Sequence, residues 1–366
     1  MKKLIVLLAG LLALVLVGLP VMQHVETQGQ QILAQIDAVN AEMAQIQDGR
    51  LQQLASTGAL DEQLSAAAAK TEDLQAQLEQ TQAELARYET LLYMHTADGA
   101  PLGEDFTQYR NLLSAQGKEL YDFLRVTVLQ NRFEADVARF GMTLDEVAEA
   151  FFGLLCDDPS LFWVDGHVVG YSYAGGKIET VELRASAGLD TISREIVTFN
   201  GAASGVLARA QALGSDLEKV QFIHDYLAAT VSYVYGDDVY TAYSAIVNRQ
   251  AVCEGYAKAF SYFMNRLGIP STYCTGTAGG ENHGWSLVRL DGQFYNLDVT
   301  WDDPLGLREG DWRYDYFLRS DAEMAATHTR DETSQKLPAC TSTRYDDTDW
   351  DVLHGASGAD LLRLAA

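Results

Sequence analysis

The amino-acid sequence predicts an α+β fold: a nucleophile-bearing helix packed on an antiparallel sheet, preceded by an N-terminal transmembrane helix and a long coiled coil. Three observations predict it. An uncharged apolar run, residues 4–22, follows Met1-Lys2-Lys3. A proline-free stretch rich in Gln, Ala, Leu and Glu follows, residues 23–93, with apolar side chains at 3-4 spacing. Beyond these, within residues 251–304, a cysteine, a histidine and an aspartate each stand in a distinct local structure.

Composition narrows the function classes. The chain has 366 residues, 48% of them hydrophobic, with only 6 Pro, which suits a globular protein of two domains or of one domain plus an extended segment. Twenty-six basic residues against 51 acidic ones leave a net charge of −25. No basic stripe exists to replace counterions, which argues against nucleic acid and against docking on anionic lipid. Cys156, Cys253, Cys274 and Cys340 fit no CxxC or zinc spacing, and no metal or cofactor is expected. If Cys253 stays a free thiol, at most one bridge forms; Cys156 with Cys340 is one pairing.

Taken in order, residues 4–22 are long enough to cross a bilayer, and no A-x-A cleavage site follows. The two lysines would stay cytoplasmic. The expectation is a signal anchor over 1–22 in the cell membrane, single-pass, with the bulk of the chain extracytoplasmic; a cleaved segment would make the protein secreted. In residues 23–95 the seam runs through Ile32, Ile36, Val39, Met43 and Ile46, then through Leu64, Ala67, Thr71, Leu74, Leu78 and Thr81. Arg50, Gln53 and Thr57 weaken its centre. Two coiled-coil blocks with a soft middle and a folded-back helical hairpin both fit; as a stalk, the segment would make the protein a homo-oligomer.

Turn residues near Gly99 and Pro101 mark a boundary before an α+β companion region, 104–200. There Thr143 and Glu146 form a capping box, and strands are expected between 161 and 183. Ser215 and Glu218 open a second boxed helix, with Leu217, Val220, Ile223, His224 and Leu227 on one face; His224 there reads as a hydrogen-bonded core residue.

The catalytic region is placed at 201–330. Cys253 opens a helix whose apolar face is Ala257, Phe260, Met264 and Leu267, with Gly268 as its stop. The positive end of a helix favours a thiolate, and its free N–H groups can donate to an oxyanion. Glu254 opposes the thiolate, so a cation is needed, and His283 is the candidate. Asp291-Gly292 turns the His283 strand back, and Asp298 on the returning strand faces His283, where a carboxylate fixes the imidazole. Residues 331–366 read as a polar extension; the acidic run at Asp346, Asp347 and Asp349 reads as solvated surface.

Cys253-Glu254-Gly255-Tyr256-Ala257, His283-Gly284-Trp285 and the run from Tyr295 to Pro304 together resemble the bacterial transglutaminase-like superfamily, over about residues 206–328. Tyr316-Phe317-Leu318-Arg319-Ser320-Asp321, with His328 downstream, resembles how such domains continue. The resemblance implies a papain-like fold and a triad of Cys253, His283 and Asp298. It places Tyr243, loosely, at the oxyanion, with Glu254 and Trp285 beside the substrate cleft. No acidic cluster matches the calcium sites of animal transglutaminases. The function expected is a thiol enzyme acting on protein or peptide carboxamide or peptide bonds through a thioester, ending in hydrolysis or in acyl transfer to an amine. Cell-wall or surface protein is the substrate class that an outward location suggests. The alternative is a non-catalytic, surface-anchored binding or scaffold module oligomerised by its coiled coil.

Overall fold

An apolar seam at 3-4 spacing needs a covering face, and the structure shows what it packs against. The computed structural model describes residues 26–46, 57–96, 103–171, 175–303 and 312–350. Helix α1 covers residues 26–46 and α2 covers Thr57–Thr96. Ile32, Ile36, Met43 and Ile46 are half-buried and Val39 buried; on α2, Leu64, Ala67, Thr71, Leu78 and Thr81 are half-buried and Leu74 buried. These are the seam positions. Their partner is the other helix of the same chain: Gly29 lies against Thr81, 3.8 Å from its Cγ2 to a Cβ built on the glycine, and residues of both helices line one shallow cleft. The seam is thus satisfied within the chain as a folded-back hairpin, and an oligomer through the coiled coil has no support.

Among the described residues no helix is long and apolar enough to cross a membrane. This overturns the expected transmembrane helix and the single-pass location. The long helices α1 and α2 have the length but carry Gln, Glu and Asp at most turns. The apolar run of residues 4–22, on which that expectation rested, lies outside the described residues, as does the C-terminal segment 351–366.

The chain divides into two units, residues 1–96 with 188–197, and residues 97–187 with 198–366. The second holds the chemistry. It begins with α3 (Gln108–Leu112), α4 (Ala115–Leu129), β1 (Glu134–Asp136), α5 (Leu144–Asp157), β2 (Val169–Tyr171) and β3 (Thr180–Glu182). Thr143 and Glu146 form the expected capping box at the start of α5. The strands are short and make one antiparallel sheet in the order β1-β3-β2. Helix α6 (Leu189–Gln211) leads to α7 (Asp216–Thr230), opened by the Ser215–Glu218 box.

The chain then passes through β4 (Ser232–Tyr233) and β5 (Gln250–Ala251), which pair in parallel, into α8 (Cys253–Arg266). Gly268, at φ +79°, ends α8 as expected. Strands β6 (Ser271–Ala278), β7 (Glu281–Leu290) and β8 (Gln293–Leu297) follow, then the short helices α9 (Val299–Asp302) and α10 (Asp321–Met324) and strand β9 (His328–Arg330). The sheet order is β8-β7-β6-β9, antiparallel throughout. Asp291 and Gly292, both at positive φ, make the tight β7–β8 turn. Tyr256, Ala259, Phe260 and Phe263 of α8 are buried with Val288, Leu290, Tyr295 and Leu297 of the sheet, so the helix packs on the sheet as the sequence predicts.

The companion region is part of the same core. Tyr109 buries its ring with Tyr273, Cys274 and Trp285 and donates its hydroxyl to the Tyr273 carbonyl at 2.9 Å. Asp157, buried at the end of α5, accepts from the N–H groups of Tyr109 and Arg110 at the start of α3. Residues 331–350, expected as a polar extension, also close onto the core: Leu337, Cys340, Tyr345 and Trp350 are buried. All four cysteines are free thiols.

Candidate active site

Cys253 is the first residue of α8. Val252 precedes it in extended backbone and gives no side-chain cap, so the first-turn N–H groups are not spent on a capping side chain. Gly255 is required by close approach: a Cβ there would stand 2.8 Å from the Val239 carbonyl oxygen and 2.8 Å from the Ala251 Cβ. The motif glycine therefore lets the helix start press against the 239–241 segment. Glu254, the residue after the nucleophile, is held by Lys258 one turn on at 2.6 Å, which offsets the repulsion expected between Glu254 and a thiolate.

His283 stands near the start of β7. Its Nε2 meets Asp298 Oδ2 at 2.6 Å. This leaves Nδ1 as the ring nitrogen for the thiol, and Cys253 and His283 line the same cavity. Burial works against a charged ring, but the Asp298 carboxylate and then the Cys253 sulfur outweigh it and push the imidazole up to about 10. The raised value favours the imidazolium form of His283.

Asp298 does not sit in the returning strand as expected. Strand β8 stops at Leu297, and Asp298 is the N-cap of α9, its Oδ1 accepting from the N–H groups of Thr300 and Trp301 at 3.0 and 3.3 Å. Its Oδ2 accepts from His283 and from His328 Nε2, the latter at 3.0 Å. Burial by itself would raise this carboxyl; the two histidines override it and bring it down to about 2.

The ligand-type atoms of His283, Asp298 and His328 lie within 4.8 Å of one another. Around a tetrahedral ion with bonds of 2.0–2.1 Å, ligand atoms stand about 3.3 Å apart. The contacts of 2.6 and 3.0 Å are shorter, so the trio has hydrogen-bond rather than metal-ligand geometry.

Two open cavities meet at Asn282 and His283. One, of about 620 Å3, is lined by Cys253, Glu254, Tyr240, Tyr273 and Thr275 among others. The other, of about 600 Å3, is lined by Tyr233, Tyr235, Trp301, Asp303, Arg313 and Tyr316 among others. Glu254 thus borders the cleft. Tyr243 packs its ring on Phe162 and Phe199, while Tyr240 and Tyr273 line the cavity beside Cys253. Trp285 is 1% exposed, donates to Asn296 Oδ1 at 3.0 Å and stacks beneath His283, so it forms the floor under the base. His224 is fully buried away from Cys253, with both ring nitrogens on carboxylates, Asp225 at 2.9 Å and Asp302 at 3.1 Å. His328, named in the resemblance but not among the expected site residues, joins the site; three-residue β9 is too short to show a period that would have placed it.

Residues 206–299 match the transglutaminase-like superfamily. The transglutaminase-like segment runs from within α6 to the first residue of α9 and so contains Cys253, His283 and Asp298. It supports a thiol enzyme in general; membership as a membrane-anchored protein has no support. No curated protein matches the sequence. Similar solved structures include one described as a TGase, at 15% identity and TM-score 0.27, covering 39% of this chain and 46% of that one. Others are a candidate cysteine protease from Cytophaga hutchinsonii (18%, 0.24, covering 37% and 61%) and a candidate protease from Parabacteroides distasonis (14%, 0.22, covering 37% and 36%). The chain spans less than two thirds of the length of each.

Proposed function

We propose that the chain is a thiol enzyme acting on carboxamide or peptide bonds of proteins or peptides. The observation that carries this reading is the 2.6 Å bond between His283 and a fully buried, ionised Asp298, on the flank of a cysteine that opens a helix. The Cys253 thiol gives its proton to Nδ1 of His283 and the resulting thiolate attacks the carbonyl carbon, so that the charge moves to the carbonyl oxygen, towards which the uncapped N–H groups of the first turn of α8 can donate. His283 gives its Nδ1 proton to the departing amine or ammonia as the C–N bond breaks, leaving a thioester on Cys253. Neutral His283 then takes a proton from the incoming water or amine as the C–S bond breaks. Asp298 stays ionised throughout and holds the ring by Nε2.

The thioester ends on water in a peptidase or amidase and on an amine in a cross-linker. Hydrolysis is the default, because water needs no acceptor site. The test is Cys253→Ala in the purified full chain, assayed for peptide hydrolysis and for incorporation of a labelled primary amine into a glutamine-bearing protein. Loss of both is expected. Retention of either rate in the variant removes Cys253 as the nucleophile.

A further inference from the structure

The Cys253–His283–Asp298 reading leaves one buried polar group beside the site without a role. His328 is 4% exposed, comes from β9 on the far edge of the sheet, and reaches the same carboxylate oxygen that His283 uses. An ionised carboxylate only accepts, so His328 must donate from Nε2. Its Nδ1 lies 2.8 Å from the Thr327 hydroxyl, which can donate to it and so keep the proton on Nε2. The rings of Trp301, Trp285 and Tyr316 pack on it at 4.8, 5.1 and 5.1 Å between centroids.

We propose that His328 is a positioning residue that holds Asp298 ionised and aimed at His283, so that the working unit is a chain of four side chains, Cys253, His283, Asp298 and His328. The proposal rests on the triad reading. His328 touches no substrate in it. It supplies the second donor to Oδ2, as the N–H groups of Thr300 and Trp301 supply two to Oδ1. With four donors the carboxylate has no lone pair left for a proton. Remove one and Asp298 protonates more readily. A protonated Asp298 no longer counters the charge on His283, and the imidazolium that sustains the reactive sulfur is lost.

The groups facing Asp298 fix what a pH profile reads. They are His283 from β7, His328 from β9 and, one turn along α9, Asp302, whose charge Asp298 feels; Tyr316 packs its ring on His328. The acid limb of Cys253 reactivity belongs to this linked set. Loss of a donor raises the affinity of Asp298 for a proton, so the limb moves to higher pH.

The experiment is the rate of Cys253 alkylation by iodoacetamide in the full chain, followed by peptide mass spectrometry from acid to neutral pH. His328→Phe keeps a ring and removes the donor; the limb is expected to rise by about one pH unit, a tenfold slower reaction below it. His328→Gln keeps an N–H donor and should follow the wild type. Thr327→Val, which frees Nδ1, should shift the limb in the same direction as His328→Phe. Should His328→Phe fail to fold, the other two variants decide. An unmoved limb in His328→Phe and Thr327→Val, or an equal shift in His328→Gln and His328→Phe, overturns the proposal, since packing alone would then account for His328. Asp298→Asn separates the two levels. An unchanged profile there removes the triad itself, whereas a changed profile there with an unmoved His328→Phe removes only the role of His328.

Discussion

Gly255→Ala sets two well-known effects against each other at the nucleophile. In a helix, alanine is favoured over glycine by up to about 1 kcal/mol, so propensity predicts a stabilised protein. The structure predicts the reverse. The added Cβ would lie 2.8 Å from the Val239 carbonyl oxygen, 2.8 Å from the Ala251 Cβ and 3.2 Å from the Thr241 carbonyl oxygen. Neither carbonyl is free to yield: Val239 accepts from the Val252 N–H at 3.0 Å, and Thr241 accepts from the Ser244 hydroxyl at 2.7 Å. The start of α8 must therefore back away by about half an ångström or more, with an overpacking cost of about 1–3 kcal/mol. The net expectation is a loss of about 0–2 kcal/mol, read by urea unfolding. The larger effect falls on chemistry. Cys253 rides on the turn that moves, and a misplacement approaching 1 Å costs about a hundredfold. Alkylation of Cys253 and amide turnover should both fall by at least tenfold. A variant that is about 1 kcal/mol more stable and alkylates at the wild-type rate would refute the close approach of α8 to residues 239–241.

Gly276→Ala should act at a distance through β9. Its Cβ would lie 2.1 Å from the Thr329 carbonyl oxygen, which forces the strands apart by about 1 Å and carries the 3.0 Å His328–Asp298 bond beyond hydrogen-bond reach. A loss of about 1–3 kcal/mol and an acid limb displaced as in His328→Phe are expected; wild-type stability and profile would contradict the β6–β9 register. His224→Leu should cost about 3–5 kcal/mol at pH 7, because Asp225 and Asp302 lose the ring between them. Burial opposes charge on His224, but hydrogen bonds and charge from the two carboxylates raise it to about 9, above its unfolded value. That stability is full below the unfolded value of about 6.5 and is lost as pH rises through about 9, so the gap between wild type and variant in urea unfolding should narrow by pH 10. A gap independent of pH would remove the charged pair. In the native protein iodoacetamide should modify Cys253 alone at neutral pH, since Cys156, Cys274 and Cys340 are buried, and burial raises each thiol, Cys274 to about 12.

Much of this site was legible because its residues carry local signals. Cys253 is followed by an apolar helical period and ended by Gly268, and Asp291-Gly292 names its own turn. These put Cys253 at a helix start and His283 on a strand, while Asp298, expected in the returning strand, caps α9. The seam of α1 and α2 was legible position by position, while its partner was not: a 3-4 period states that a face is buried and not by which chain. The weak centre at Arg50, Gln53 and Thr57 permits the folded-back form that the described helices take. Strand β6 was missed because Gly276 looks like a breaker. It stands in the strand because β9 passes too close for a side chain. Tyr240 gave no signal, and His328 entered only through the resemblance and not as a site residue, since what brings them to the site is sheet order and the path of the 239–241 segment. The expectation of a membrane span came from hydropathy alone, and no described helix bears it.

The central claim is that a thioester forms on Cys253. The most direct measurement is intact-protein mass spectrometry of the full chain quenched in acid during turnover of a glutamine-bearing peptide, followed by peptide mapping. The account predicts an acyl adduct on Cys253 that is lost on treatment with hydroxylamine or an amine, and that is absent from Cys253→Ala. Turnover with no adduct at any time, and with Cys253→Ala as active as the wild type, would contradict it.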